Sequence, residues 1–188
     1  MNKKIAVTFI GLVFLLMPLV SSASTFEMAK ESKINFVAKI TGSSFKGECE
    51  TVTGTAILDA EGKKLTAIEW ALKAEDIKTG MDQRDGHMYK KYLKTKDFPM
   101  VTFKAAELEL PAPGKSKQVE GTFKIHGQEK NLKVLFTMSE NTPDKISLSA
   151  TWTLNIGDFG IKQPKFMVVK MEKELQMEAQ IVLARKKQ

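Results

Sequence analysis

Apolar residues recur at every second position along most of this chain: Ile34, Phe36, Ala38 and Ile40, then Ile68, Trp70, Leu72 and Ala74, then Val101, Phe103 and Ala105. The alternation resumes at Val119, Gly121, Phe123 and Ile125, at Leu132, Val134, Phe136 and Met138, through residues 146–154, and from Leu175 to Leu183. A period of two places one face of each segment in a dry interior and the other in water. With residues 53–58, the pattern predicts about eight strands. Turn residues separate them at Gly42, Glu61-Gly62, residues 111–114, His126-Gly127 and residues 141–144, spacings that favour consecutive antiparallel pairing. Helix is confined to one interruption, around residues 83–93.

Two architectures satisfy such a pattern, a sandwich of two sheets or one sheet closed into a barrel. An eight-stranded barrel is just wide enough to hold one small ligand. The inward rows are rich in Phe, Trp, Leu and Met, and they nominate Phe36, Trp70, Leu72, Phe103, Phe123, Phe136, Trp152 and Met177 as lining residues if the interior is hollow. If it is filled, the same residues pack against one another.

Residues 1–23 change the picture of where this fold works. Lys3 and Lys4 precede an apolar run that contains Pro18 and closes on Ser21-Ser22-Ala23, the layout of a secretory signal peptide cleaved near Ala23. The domain proper then covers residues 24–188. Cys49 is the only cysteine, so an exported chain has no internal disulfide and must be held by its core; the thiol reads as a packed spectator. Lys and Arg number 29 against 22 Asp and Glu, and losing the two leader lysines lowers the +7 formal charge by two. That excess suits transient contact with an anionic membrane surface, although many lysines alternate with apolar residues and would coat the wet side of strands. Export and the absence of basic clusters interleaved with aromatics argue against nucleic acid.

The chemistry-bearing residues gather between Thr79 and Phe103. Arg84, Asp85 and His87 are the residue types of acid-base sites: His87 as general base, Asp85 or Asp82 to orient it, Arg84 to bind an anion. The rest of an active site is missing from the sequence. It contains no Gly-x-Ser-x-Gly elbow and no phosphate-cradling glycine loop, and His87, His126 and Cys49 lack metal-ligand spacing. The architectural alternative is that Arg84 and Asp85 satisfy each other or nearby backbone groups and shape one end of the fold. His126 beside Gly127 reads as a turn residue. No catalytic residue, metal or cofactor is assigned.

Motifs in order along nearly the whole chain sharpen this. They are Ser32-Lys33-Ile34-Asn35-Phe36, Gly42, Phe45, Gly47 and Gly54; Ile77-Lys78-Thr79-Gly80; Arg84-Asp85-Gly86-His87-Met88; Asp97-Phe98-Pro99; Val101-Thr102-Phe103; the stretch from Val119 to Gly127; and Asp158-Phe159-Gly160-Ile161. In these the chain resembles the YceI-like family of exported lipid-binding proteins. The resemblance implies an all-β fold, an antiparallel eight-stranded lipocalin-like barrel with one short helix around residues 83–93. It also implies a hydrophobic cavity holding a long-chain isoprenoid or another lipid, and a periplasmic location. Arg84, Asp85 and His87 then become head-group or barrel-end contacts. One departure stands out: Ile156-Gly157 occupies the place where many members carry an arginine-containing pair. The expected function is sequestration or transport of an apolar lipid without catalysis. The alternatives are an enzyme acting on a lipid head group near Arg84, Asp85 and His87, and a stress-related protein whose barrel is filled.

Overall fold

The computed structural model describes residues 22–187, apart from the side chain of Phe166. The signal-peptide reading therefore falls almost wholly outside the described residues. Twelve strands and one short helix follow in order. The first five strands are β1 (Ser24–Met28), β2 (Lys33–Ile40), β3 (Ser43–Cys49), β4 (Thr53–Leu58) and β5 (Lys64–Lys73). Helix α1 (Asp82–His87) comes next and continues as a wider helical turn over Met88–Leu93. The remainder are β6 (Met100–Ala105), β7 (Leu108–Glu109), β8 (Ser116–Ile125), β9 (Gln128–Asn141), β10 (Lys145–Asn155), β11 (Lys165–Phe166) and β12 (Val169–Arg185).

These strands fill eight positions of a closed antiparallel barrel, because two positions are each shared by a pair of strands. β12 is the seam. One edge pairs with β10 from Asn155↔Glu174 to Lys145↔Ala184. The other edge pairs first with β2, as in Met177↔Phe36, and near its end with β1, as in Leu183↔Met28. β1 and β2 thus act as one bent strand. β3 against β2 and β4 against β1 form the next position, and β5, β6, β8, β9 and β10 complete the circuit. Closure limits the open-edge hazard of all-β chains, although among the described residues the outer edge of β3 has no strand partner and is covered in part by the Glu48–Lys78 bridge.

The bend between β1 and β2 is held by a side chain standing in for backbone. Ser32 is buried; its hydroxyl donates to the Val182 carbonyl at 3.1 Å and accepts from the Val182 N–H at 3.0 Å. A rung that the turn would otherwise lose is thereby replaced.

The alternation predicts the inward faces of β2, β5, β6, β8, β9, β10 and β12, and their apolar rows form one continuous core. The deepest part is aromatic. Trp70 stacks on Phe103 with centroids 5.5 Å apart, Phe103 lies 4.7 Å from Phe123, and Phe123 lies 5.3 Å from Trp152. These four rings cross the barrel from β5 to β10, each at most 7% exposed. Phe136 is also fully buried in this core, and Cys49 is 2% exposed within it.

The β8–β9 hairpin turns on His126 and Gly127, with φ of 51° and 74°. Two consecutive positive values make the mirror-image turn whose twist suits a hairpin, and histidine is among the few residues enriched there. The His126 ring packs against Phe98, and its Nδ1 lies 3.1 Å from the Phe159 carbonyl oxygen. The turn residue therefore also ties two loops at one end of the barrel.

Candidate functional site

That same end holds a cavity of about 680 Å³. β2 and β3 contribute Phe36, Ile40 and Phe45 to its wall, and β12 contributes Val169, Met171 and Leu175. Ile156, Ile161 and Pro164 come from the connection after β10, while Met81, Met88, Tyr92 and Leu93 come from the helical segment. The polar lining side chains are Thr79, Gln83, Arg84, His87, Lys91 and Lys165. Three are Arg or Lys, and none of the lining residues is Asp or Glu. The cavity is an apolar pouch with a cationic rim.

Phe36 has its place in the wall because residue 47 is glycine. A Cβ at Gly47 would stand 2.3 Å from the Phe36 ring, well inside contact distance. Phe45 meets the same ring edge-on at 6.3 Å.

The helical segment is pinned across the barrel end before it starts. Glu48 and Lys78 exchange two backbone hydrogen bonds at 2.8 Å, and Ala74 N–H donates to the Pro99 carbonyl at 2.8 Å. The phenol of Tyr89 donates to the Ile77 carbonyl at 2.5 Å. Gly80 follows with φ of 76°, a left-handed turn that suits glycine and redirects the chain into α1.

Thr79 is the hub of the polar cluster. Asp85 Oδ1 accepts its backbone N–H at 2.9 Å and its hydroxyl at 2.5 Å. Arg84 Nε donates to the Thr79 hydroxyl oxygen at 2.8 Å, and an Arg84 terminal nitrogen donates to the Thr79 carbonyl at 2.7 Å. The guanidinium also lies over the Phe45 ring, 4.1 Å from its centroid, a favourable placement for a cation. Arg84 and Asp85 are thus joined through Thr79, not paired directly. Asp85 is 4% exposed and sits behind the wall; Arg84 and His87 line the cavity itself. Among the described residues no hydrogen bond joins His87 to Asp85 or Asp82, so the orienting contact of a carboxylate–histidine pair is not formed.

The structure distributes the other candidate lining residues unevenly. Phe36 lines the cavity, whereas Trp70, Phe103, Phe123 and Trp152 form the aromatic stack deeper in the barrel. Leu72 and Phe136 are buried in the core, and Met177 packs against it. Met177 pairs in register with both Phe36 and Trp152, so these three stand in one row around the wall. Of the three, Phe36 alone lines the cavity. Ile156, which stands where many members of the resembled family carry an arginine-containing pair, is 4% exposed and lends its apolar side chain to the wall. Alternation could not find Met81, Met88, Ile161 or Val169, because they lie on irregular connections or at the outermost residue of a strand.

A family model for the YceI-like domain matches residues 27–183. A UPF0312 protein of Pseudomonas syringae pv. syringae is 27% identical over 152 residues, covering 76% of this chain and 79% of that relative. Among solved structures, BcnA of Burkholderia cenocepacia superposes with a TM-score of 0.69 at 17% identity, over 82% of this chain and 98% of its own. A polyisoprenoid binding domain from Saccharophagus degradans gives 0.66 at 13% identity, over 87% and 99%. The Campylobacter jejuni YceI protein gives 0.65 at 14%, over the full length of both. At these identities the structural likenesses establish the barrel fold, and the extent of the family match places this chain in the YceI-like domain family.

Proposed function

We propose that this protein is an exported, periplasmic binding protein that holds a single-chain lipid of isoprenoid or fatty-acyl type and performs no chemistry on it. The observation that carries this is the apolar cavity of about 680 Å³ rimmed by Arg84, Lys91 and Lys165. The apolar chain occupies the space among Phe36, Ile156, Met171 and Leu175, and the polar head lies at the cationic rim. Fold and family add support, as does the structural neighbour described as a polyisoprenoid binding domain.

The size of the cavity bounds the chain. At roughly 30 Å³ per small group, the liquid share of a water molecule, the space holds on the order of 20 chain atoms. Burying even eight methylenes is worth about 6 kcal/mol at ~0.8 kcal/mol each, before ordering costs. A hydrocarbon tail can therefore be retained with only weak contacts to its head.

Extraction of purified protein with organic solvent, followed by mass spectrometry, tests the reading. A lipid should be released in near-stoichiometric amount. Recovery of none, together with failure to bind prenyl or fatty-acyl probes, would overturn it. Turnover of a lipid head group that His87→Ala abolishes while binding persists would instead establish an enzyme.

A further inference from the structure

The hairpin joining β11 to β12 carries its most apolar residues where a soluble turn carries polar ones. Met167 and Val168 form its tip and are 85% and 84% exposed, the two most exposed large hydrophobic side chains among the described residues. Met167 also adopts φ of 52°, the left-handed region in which glycine or asparagine is ordinary. Both the conformation and the side chain of residue 167 run against what an isolated turn in water favours.

The charges beside the tip are equally uncompensated. Lys165 and Lys170 are direct cross-strand partners, and like charges in that relation repel. Lys162 and Lys173 follow on either side, with Glu172 the one acidic residue between positions 161 and 173. Some surface lysines on the barrel wall find carboxylates, as in Lys104–Glu69, Lys117–Glu109 and Lys145–Glu140. Among the described residues, none of these four hairpin lysines makes a salt bridge.

The base of the hairpin is fixed. Thr41 N–H donates to the Lys170 carbonyl at 3.0 Å, Met171 N–H to the Pro164 carbonyl at 2.9 Å, and the Gln163 amide to the Met171 carbonyl at 2.7 Å. Lys165 and Val169 meanwhile line the cavity, and so does Met81, itself 53% exposed. An anchored apolar tip with a collar of cations therefore stands at the cavity mouth.

We propose that this hairpin docks the protein on an anionic bilayer, with Met167 and Val168 entering the interface while Lys162, Lys165, Lys170 and Lys173 lie among the headgroups. An apolar side chain gains by leaving water at the headgroup–acyl boundary, and cations on its flank gain from anionic lipid. Each lysine at such a surface is worth roughly fivefold in binding. Docking would set the cavity mouth against the membrane from which a lipid is taken or to which it is given. The surface itself goes beyond the lipid-binding reading and is measured separately from it.

The test is co-sedimentation of the chain from Ser24 onward, which contains the whole closed barrel, with vesicles of phosphatidylglycerol and phosphatidylcholine and with phosphatidylcholine alone. Binding should favour the anionic vesicles at least tenfold and weaken as salt is raised. Met167→Asp combined with Val168→Asp should lower it at least tenfold, and Lys162→Gln with Lys170→Gln should lower it by a comparable factor. Lipid recovered by extraction from both double variants should match the parent, which shows that the barrel is intact. Unchanged vesicle binding in the tip variant, or equal binding to neutral vesicles, would overturn the proposal. So would a dimer that the tip variant dissolves in place of any vesicle binding. Loss of extractable lipid from the parent protein with vesicle binding preserved would defeat the lipid-carrier reading and leave the docking surface standing.

Discussion

Asp85 reaches back past the start of its own helix to Thr79, where one carboxylate oxygen accepts the backbone N–H at 2.9 Å and the hydroxyl at 2.5 Å. Thr79 in turn receives Arg84 through both its hydroxyl and its carbonyl oxygen. The carboxylate therefore fixes the turn into α1 and, at one remove, the guanidinium that borders the cavity. Removing it leaves a buried N–H without an acceptor, which costs about 1–3 kcal/mol, and also frees Arg84. Asp85→Ala should lower unfolding stability by about 2 kcal/mol or more and weaken lipid retention, while Asp85→Asn, which keeps an acceptor, should lose less on both counts. Denaturant unfolding read beside lipid extraction checks this. If Asp85→Ala lost the ligand with stability intact, its role would be direct contact.

Gly47 and Phe36 make a second dependence between neighbouring strands. A methyl group at residue 47 would sit 2.3 Å from the ring and 3.1 Å from the Lys78 carbonyl oxygen. The ring is the softer of the two and can yield only toward the cavity it lines. Gly47→Ala should therefore destabilise by about 1–3 kcal/mol, the usual cost of overpacking, and reduce the amount or chain length of bound lipid. Adding Phe36→Leu should restore most of the binding. Chain-length analysis of the extracted lipid separates this from a uniform loss of stability, which would shift the melting temperature alone.

The same pair shows what alternation could and could not disclose. β3 places Phe45, Gly47 and Cys49 on its inward face, an alternating row whose middle member is missing because Phe36 fills its space. A hydrophobic pattern therefore reads β3 weakly, although Gly47 stood among the motif residues. β1 offers only Phe26 and Met28, and its pairing with the end of β12 closes the barrel over few rungs. Inward orientation was legible at Trp70, Phe103, Phe123 and Trp152, but depth along the barrel axis has no sequence period. In the row from Phe36 through Met177 to Trp152 only Phe36 lines the cavity, and which residues do so depends on which rings meet across the interior. Arg84 and His87 stood out as a polar cluster amid strands, and the structure brings both to the cavity while holding Asp85 behind it.

Acid should act on the β4–β5 turn through Asp59. Its carboxylate accepts the backbone N–H groups of Lys64 and Lys63 at 3.1 and 2.7 Å, and these hydrogen bonds, that from Lys64 foremost, hold its pKa below the ordinary 3.8. A folded-state value below the unfolded one gives stability that is fully present above the unfolded value and is lost as pH falls through the folded one. The contribution therefore begins to fall below about pH 4 and is gone once the pH lies below the folded value. Asp59→Asn keeps the acceptor geometry without the titration, so it should be less stable than the parent at neutral pH and show a shallower fall in melting temperature from pH 5 to pH 2. Parallel acid limbs in the two proteins would remove Asp59 from the account.

Trp152 belongs to the packed core, and of its row only Phe36 lines the cavity. It stands in the row of Met177 and Phe36, rests 5.3 Å from Phe123, and is 7% exposed; its indole N–H has no partner among the described residues. A ring held by packing alone, with a buried donor unsatisfied, contributes space-filling more than polar stabilisation. Trp152→Ala should extend the cavity toward the aromatic stack and cost about 3–5 kcal/mol in the empty protein. Because a longer tail can refill that space, the lipids extracted from this variant should shift to longer chains, and added long-chain lipid should recover part of the lost stability. Trp152→Phe should fold more securely, since it removes the unpaired N–H and leaves a smaller void, and should give a shift in the same direction but of lesser extent. Mass spectrometry of lipids bound by the three proteins after exposure to one mixture of chain lengths provides the comparison. An identical chain-length distribution in all three would mean that the tail stops short of Trp152 and that the rim, not the packed core, selects the ligand.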